Sequence, residues 1–127
     1  MSVSTVLTPS VPRPVGPYSS AVRAGDWLIL SGQLGRIPDS GQLVDGGSAA
    51  QTRQILANIV AILGDCAASL ADVAKTTIFV TDIGSLEEVN ATYAEVFGEF
   101  RPARSMVEVA ALPGGAAVEI EVWAHLG

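Results

Sequence analysis

Two charged residues near the C-terminus stand where they could do chemistry: Arg104 in Pro102-Ala103-Arg104-Ser105 and Glu119 in Val118-Glu119-Ile120-Glu121. A planar guanidinium can hold a carboxylate through two parallel hydrogen bonds, and a carboxylate can orient a water and take its proton. Each residue sits in an alternating apolar–polar run, and a Leu112-Pro113-Gly114-Gly115 turn separates the runs as in a hairpin. Alternation sorts each run into two faces. In the last run Val118, Ile120, Val122 and Ala124 share one face, and Glu119, Glu121, Trp123 and His125 the other. In the earlier run Ser105, Val107 and Val109 oppose Arg104, Met106 and Glu108. If the aliphatic faces pack against helices, Arg104 and Glu119 project together from the helix-free face of one sheet. Each also has a plainer reading, Arg104 as a strand arginine paired with Glu108 and Glu119 as the polar half of an amphipathic strand.

Other chemistries have less to build on. His125 is the sole histidine and has no nucleophile beside it, which leaves no Ser-His-Asp arrangement. One histidine and one cysteine cannot assemble a zinc site from nitrogen and sulfur ligands within a chain, nor an internal disulfide. Cys66 falls on an apolar helical stripe without a flanking cation and reads as a small buried hydrophobe. The pieces Gly32-Gln33-Leu34-Gly35 and Gly46-Gly47 match neither a phosphate loop nor a dinucleotide fingerprint. A net charge of −6, a pI near 4.5 and the lack of a Lys/Arg cluster disfavour nucleic acid. No apolar run approaches the roughly 20 residues that cross a bilayer. The first residues lack a basic segment followed by an apolar one, so no signal peptide is expected and cytoplasm is the default.

The elements that must position these residues follow from pattern. The 127 residues are expected to form one domain with a sizeable core. A mean hydropathy of +0.42 with only 16% charged residues fits equally an Ala/Val/Gly-rich chain and one whose apolar surface is partly covered by other subunits. Residues 3–7 read as a short edge strand, and four of the seven prolines crowd into residues 8–17, an irregular loop ending Gly16-Pro17-Tyr18. Strands follow at Ser20–Ala24 and Trp27–Gln33 around Gly25-Asp26. Gly32 could let a ligand approach the backbone, and Tyr18 and Ser31 stand at loop and strand ends suited to ligand contact. A helix begins near Ser48 with Ser48-x-x-Gln51 in capping-box form and carries the stripe Ile55, Ile59, Ile62, Leu63 and Cys66. The strand Val73–Thr81 precedes a second capping box, Ser85-x-x-Glu88. This opens a helix to about Phe100 with Leu86, Val89, Tyr93, Val96 and Phe97 inward and Asn90 just off the stripe. The order β-β-β-α-β-α-β-β predicts an α+β two-layer sandwich, a mixed sheet of five or six strands with both helices on one face. Met106 and Trp123 among charges on the helix-free face fit subunit packing better than open water.

The segments Gly16-Pro17-Tyr18, Ser31-Gly32-Gln33, Ala49-Ala50-Gln51-Thr52-Arg53-Gln54, Lys75-Thr76-Thr77-Ile78-Phe79-Val80-Thr81-Asp82, Val89-Asn90-Ala91-Thr92-Tyr93, Pro102-Ala103-Arg104-Ser105 and Val118-Glu119-Ile120-Glu121 occur in a specific order along nearly the whole chain. In these the sequence resembles the Rid family, the reactive intermediate deaminases, also called YjgF-like proteins. The resemblance implies a chorismate-mutase-like homotrimer with clefts between subunits. It also implies hydrolysis of 2-enamino or 2-imino acids to 2-keto acids and ammonia, as in 2-iminobutanoate/2-iminopropanoate deaminases, without cofactor or metal. By motif, Arg104 is the carboxylate anchor and Glu119 the residue that orients or activates water, while Tyr18, Ser31, Gly32 and Asn90 line the cleft. Met106 stands where the family commonly has a cysteine, and Arg101 where an apolar residue is frequent. Both border the cleft and could change its specificity. An arginine beside Glu119 would lower its pKa and suit it to act as a base. The alternatives are a pathway-specific enzyme on the same scaffold, acting on another small carbonyl or carboxylate compound, and a non-catalytic ligand-binding trimer.

Overall fold

The computed structural model describes residues 2–127. Six strands and two helices follow in the expected order: β1 (Val3–Thr5), β2 (Ala21–Ala24), β3 (Trp27–Leu34), α1 (Gly47–Asp65), β4 (Val73–Val80), α2 (Leu86–Phe97), β5 (Ala103–Glu108) and β6 (Val118–His125). The strands form one mixed sheet in the order β1-β2-β3-β6-β4-β5, antiparallel except for the parallel pair β4–β5. A parallel neighbour needs a crossover, and α2 supplies it between β4 and β5. Both helices cover one face, giving an α+β fold.

The core forms where two periodicities meet. Ile55, Ile59, Ile62 and Leu63 of α1 and Val89, Tyr93 and Phe97 of α2 pack on Leu28, Leu30, Ile78, Val118, Ile120 and Val122 of the sheet. Each fully buried aliphatic side chain contributes about 1.5–3 kcal/mol relative to exposure. Cys66 packs at the margin of this cluster, and burial raises its thiol pKa, as fits a structural thiol. Strand β6 is central, and its inward residues Val118, Ile120, Val122 and Ala124 are fully buried.

Three local expectations change. The run around Leu112-Pro113 is not a hairpin: β5 pairs only with β4, while β6 inserts between β3 and β4. A single helical turn over Pro113–Gly115, with Gly114 and Gly115 at φ 65° and 74°, makes this crossing. Neither capping box forms. Helix α1 starts one residue earlier on Gly46, and the Gln51 side chain instead accepts a hydrogen bond from the Ala117 amide at 2.9 Å, tying α1 to the entry of β6. A part-buried amide is costly to leave unpaired, and Gln51 satisfies this one. At α2 the Ser85 hydroxyl donates to the Asp82 carbonyl at 2.7 Å, and the helix stops at Phe97 because Gly98 turns to φ 68°.

The faces of β5 also differ from expectation. Register pairs Thr76 with both Arg104 and Val122, and Ile78 with both Met106 and Ile120. Cross-strand partners share a face, so Arg104, Met106 and Glu108 lie on the helix side. Ser105 and Val107 lie on the helix-free side with Glu119 and Glu121. Arg104 and Glu119 are therefore on opposite faces. Strand β5 is at the sheet edge, where Arg104 meets α2, Glu108 meets the turn ahead of it, and Val107 stays 43% exposed on the other face. An aliphatic alternation on an edge strand does not point to the core.

Candidate active-site halves

Glu119 is framed by an irregularity in its neighbour strand. Pairing of β3 with β6 runs in register to Leu30↔Val122 and resumes at Gln33↔Ile120, so β3 carries one extra residue between them. Such a bulge breaks the ladder and re-aims backbone and side chains. At Gly32 the Glu119 carboxyl fills the space that a side chain would occupy. A Cβ there would fall 2.7 Å from both Cδ and Oε2 of Glu119. The close approach anticipated for a ligand is thus made by the glutamate.

The carboxylate faces a cavity of about 530 Å³ whose walls include Tyr18, Ser31, Gly32, Gln33, Arg36, Asn58 and the proline-rich stretch from Val11 to Val15. Tyr18 is exposed on the loop, whereas the Ser31 hydroxyl is engaged, donating to the Ser19 carbonyl at 2.6 Å. Partial burial pushes the Glu119 carboxyl above its ordinary pKa, and the charge of Glu121 on the same face adds to the shift. This is opposite to the lowering expected from an adjacent arginine, because within the chain Arg104 lies across the sheet. Such a carboxylate is a stronger proton acceptor when ionised and a competent donor once protonated.

Arg104 is built into a separate pocket of about 380 Å³ with Asn90, Tyr93, Ala94, Arg101 and Pro102. Its Nη1 donates to Asn90 Oδ1 at 2.7 Å, and its guanidinium carbon stands 5.2 Å from the centre of the Tyr93 ring. Tyr93 is fixed in turn by a 2.8 Å hydrogen bond between its hydroxyl and that of buried Thr76, and by stacking on Phe97 at 4.5 Å. Asn90, one position off the apolar stripe, is thus placed to orient the arginine. Glu108 does not pair with Arg104; its Oε1 accepts from the Ile83 amide at 2.9 Å. Arg104 Nε and Nη2 have no hydrogen-bond partner among the described residues.

Tyr18, Ser31, Gly32 and Glu119 are therefore brought together on one cavity, and Asn90 and Arg104 on the other. Met106 joins neither; it is half-buried against the core on the helix side. Sequence reading missed Arg36 and Asn58 on the first cavity and Tyr93 beneath Arg104. The Asn58 side chain donates to the Arg36 carbonyl at 2.8 Å, a contact between α1 and a loop that no local spacing announces. Tyr93 was legible only as a member of the inner stripe.

The family model described as Endoribonuclease L-PSP matches residues 8–126. The chain is 44% identical over 120 residues to a RutC family protein of Pyrococcus horikoshii, covering 94% of this chain and 95% of that one. It is 41% identical to the human protein named 2-iminobutanoate/2-iminopropanoate deaminase, covering 96% and 89% of the two chains. Among solved structures, YyfA of Yersinia pestis, described as a member of the conserved Rid protein family, superposes with a TM-score of 0.93 at 46% identity, covering 98% and 99% of the two chains.

Proposed function

This chain belongs to the L-PSP endoribonuclease family that includes the Rid proteins, and on that premise we propose that it hydrolyses short 2-imino acids, and their enamine tautomers, to 2-keto acids and ammonia. The observation that carries this reading is the pair of complementary half-sites. One holds a partly desolvated carboxylate that makes no ion pair among the described residues, the other an oriented guanidinium with no carboxylate in its walls. Neither suffices alone, and their placement on opposite faces prevents one chain from closing them on one small molecule.

A homotrimer meets the requirement. In a cyclic assembly each subunit presents one surface to the next, so the Arg104 pocket of one copy can meet the Glu119 cavity of its neighbour three times over. The helix-free face supports association: Trp27 and Trp123 meet edge to face at 6.0 Å while remaining 37% and 43% exposed. Large exposed aromatics of this kind mark contact surfaces.

In the closed cleft Arg104 holds the substrate carboxylate through its unpartnered Nε–Nη2 edge. Glu119 accepts a proton from water as the water oxygen bonds to the imine carbon, and passes it to the imine nitrogen as its π bond breaks. The tetrahedral carbinolamine then collapses: Glu119 carries the hydroxyl proton to the amine, the carbonyl forms as the C–N bond breaks, and ammonia leaves. The balance is R–C(=NH)–COO⁻ + H2O → R–C(=O)–COO⁻ + NH3. Positioned water plus a general base lowers the barrier by several kcal/mol, about 10²–10⁴-fold for the proton transfer alone.

The test generates 2-iminopropanoate or 2-iminobutanoate in situ with an amino-acid oxidase and follows keto-acid release. Arg104→Ala and Glu119→Gln are each expected to lose about 10²-fold or more of the acceleration. A rate unaffected by Arg104→Ala would remove the carboxylate-anchor role and with it this mechanism.

A further inference from the structure

The pocket that holds Arg104 contains a second cation. Arg101 lines the same walls, three residues earlier, across Pro102, whose fixed φ stiffens the link between α2 and β5. Arg101 is anchored through Nε, which donates to the Gly98 carbonyl at 2.7 Å just past the end of α2. Arg104 is anchored through Nη1 on Asn90. Each guanidinium is thus held at α2 or its C-terminal end by a single hydrogen bond, and the remaining donors of both are unpartnered among the described residues.

Arg104 stands over the Tyr93 ring, and Arg101 lines the same pocket. Burial raises the pKa of the Tyr93 phenol, and the Thr76 hydrogen bond, Arg104 and Arg101 each pull it back down. No aspartate or glutamate lines the pocket. The one ion pair among the described residues, Arg53 with Glu95, lies elsewhere, between α1 and α2. An arginine at the end of a helix has a plain structural use, capping the last carbonyls. That use accounts for one Nε–H and leaves the guanidinium in a pocket that a second one also lines, where like charges repel. An anion bridging the two relieves the repulsion, and two planar forks favour a ligand with two acidic groups.

We propose that Arg101 is a specificity-determining residue and that this pocket takes short dicarboxylic 2-imino acids and their keto acids, Arg104 holding the 2-carboxylate and Arg101 the side-chain carboxylate. The assignment rests on the deaminase reading for the identity of the 2-carboxylate. The two-cation site is separable from turnover and can be measured alone.

Titration calorimetry on the full-length protein in low salt compares 2-oxoglutarate and oxaloacetate with 2-oxobutanoate, which lacks the second acid. The dicarboxylates are expected to bind about tenfold more tightly, as a charge-assisted pair at a partly exposed site allows. Arg101→Gln, which keeps a side-chain donor for the Gly98 carbonyl, is expected to bring the ratio close to one. Equal or undetectable binding of both classes by the wild type overturns the proposal, as does an Arg101→Gln variant that weakens both classes in equal proportion. In parallel, keto-acid release from 2-iminopropanoate tests the deaminase reading. Arg101-dependent dicarboxylate binding without imine hydrolysis keeps the two-cation site and removes that reading. Hydrolysis without dicarboxylate preference does the reverse.

Discussion

Replacing Gly32 by alanine adds one methyl group and attacks the site through Glu119 alone. The new Cβ would stand 2.7 Å from Cδ and Oε2 of Glu119 and 3.0 Å from its Cγ. Non-bonded carbon atoms rest about 3.5–4.0 Å apart, so the carboxyl must shift by roughly 1 Å. The backbone needs no change, since Gly32 is not among the glycines with positive φ. Overpacking costs about 1–3 kcal/mol in a closed core. Here the displaced group borders an open cavity, and the low end of that range is expected. Catalysis is less forgiving, because a 1 Å error in a reacting group can cost about 10²-fold. Urea denaturation and kcat/KM for 2-iminopropanoate would separate the two effects. A further comparison places Gly32→Ala in a Glu119→Gln background, where the methyl group should lower the rate no further, since interacting positions are non-additive. Gly32→Ala retaining kcat/KM within about twofold of wild type, against the 10² expected, would refute the claim that the bulge exists to seat the glutamate.

Arg104 and Glu119 are assigned to different subunits of each cleft, so Arg104→Ala and Glu119→Gln chains, each inactive alone, should complement after unfolding and refolding together. Random mixing in a cyclic trimer restores both residues in about a quarter of clefts, and no recovered activity would place both groups on one chain. Partial burial and Glu121 raise the Glu119 pKa, so the native state holds that proton more tightly than the unfolded chain does. Ionised Glu119 therefore costs stability at neutral pH. The Glu119→Gln variant should show a higher urea midpoint there, and the advantage should disappear as pH falls through the raised pKa. Activity of the wild type should rise with pH through the titration of Glu119, and that acid limb should be missing from the residual activity of Glu119→Gln. Tyr93→Phe removes the hydroxyl bonded to buried Thr76 at 2.8 Å and should cost about 1–3 kcal/mol in chemical denaturation. The phenyl ring still lies under Arg104, so KM should move much less than stability.

Element order, the apolar stripe of α1, that of α2 apart from Leu86, which lies exposed in its first turn, and the membership of each strand face were legible in the sequence. They depend on periodicity within a segment, and the backbone enforces it locally: 3.6 residues per helical turn and two per strand repeat. The resemblance in ordered motifs likewise pointed to the family without coordinates. Which way a face turns is another matter. Ser105 and Val107 alternate with Arg104 and Met106 as expected, yet β5 presents the arginine to α2 because its register against β4 pairs Arg104 with Thr76. Register and edge position are set by contacts between segments far apart in the chain, as are the bulge that seats Glu119 over Gly32 and the Gln51 contact that replaces a helix cap. Tertiary structure alone separated Arg104 from Glu119. The charges that the sequence set beside each other are held on opposite faces, since a sheet buries one face against its helices whichever residues alternate along its edge.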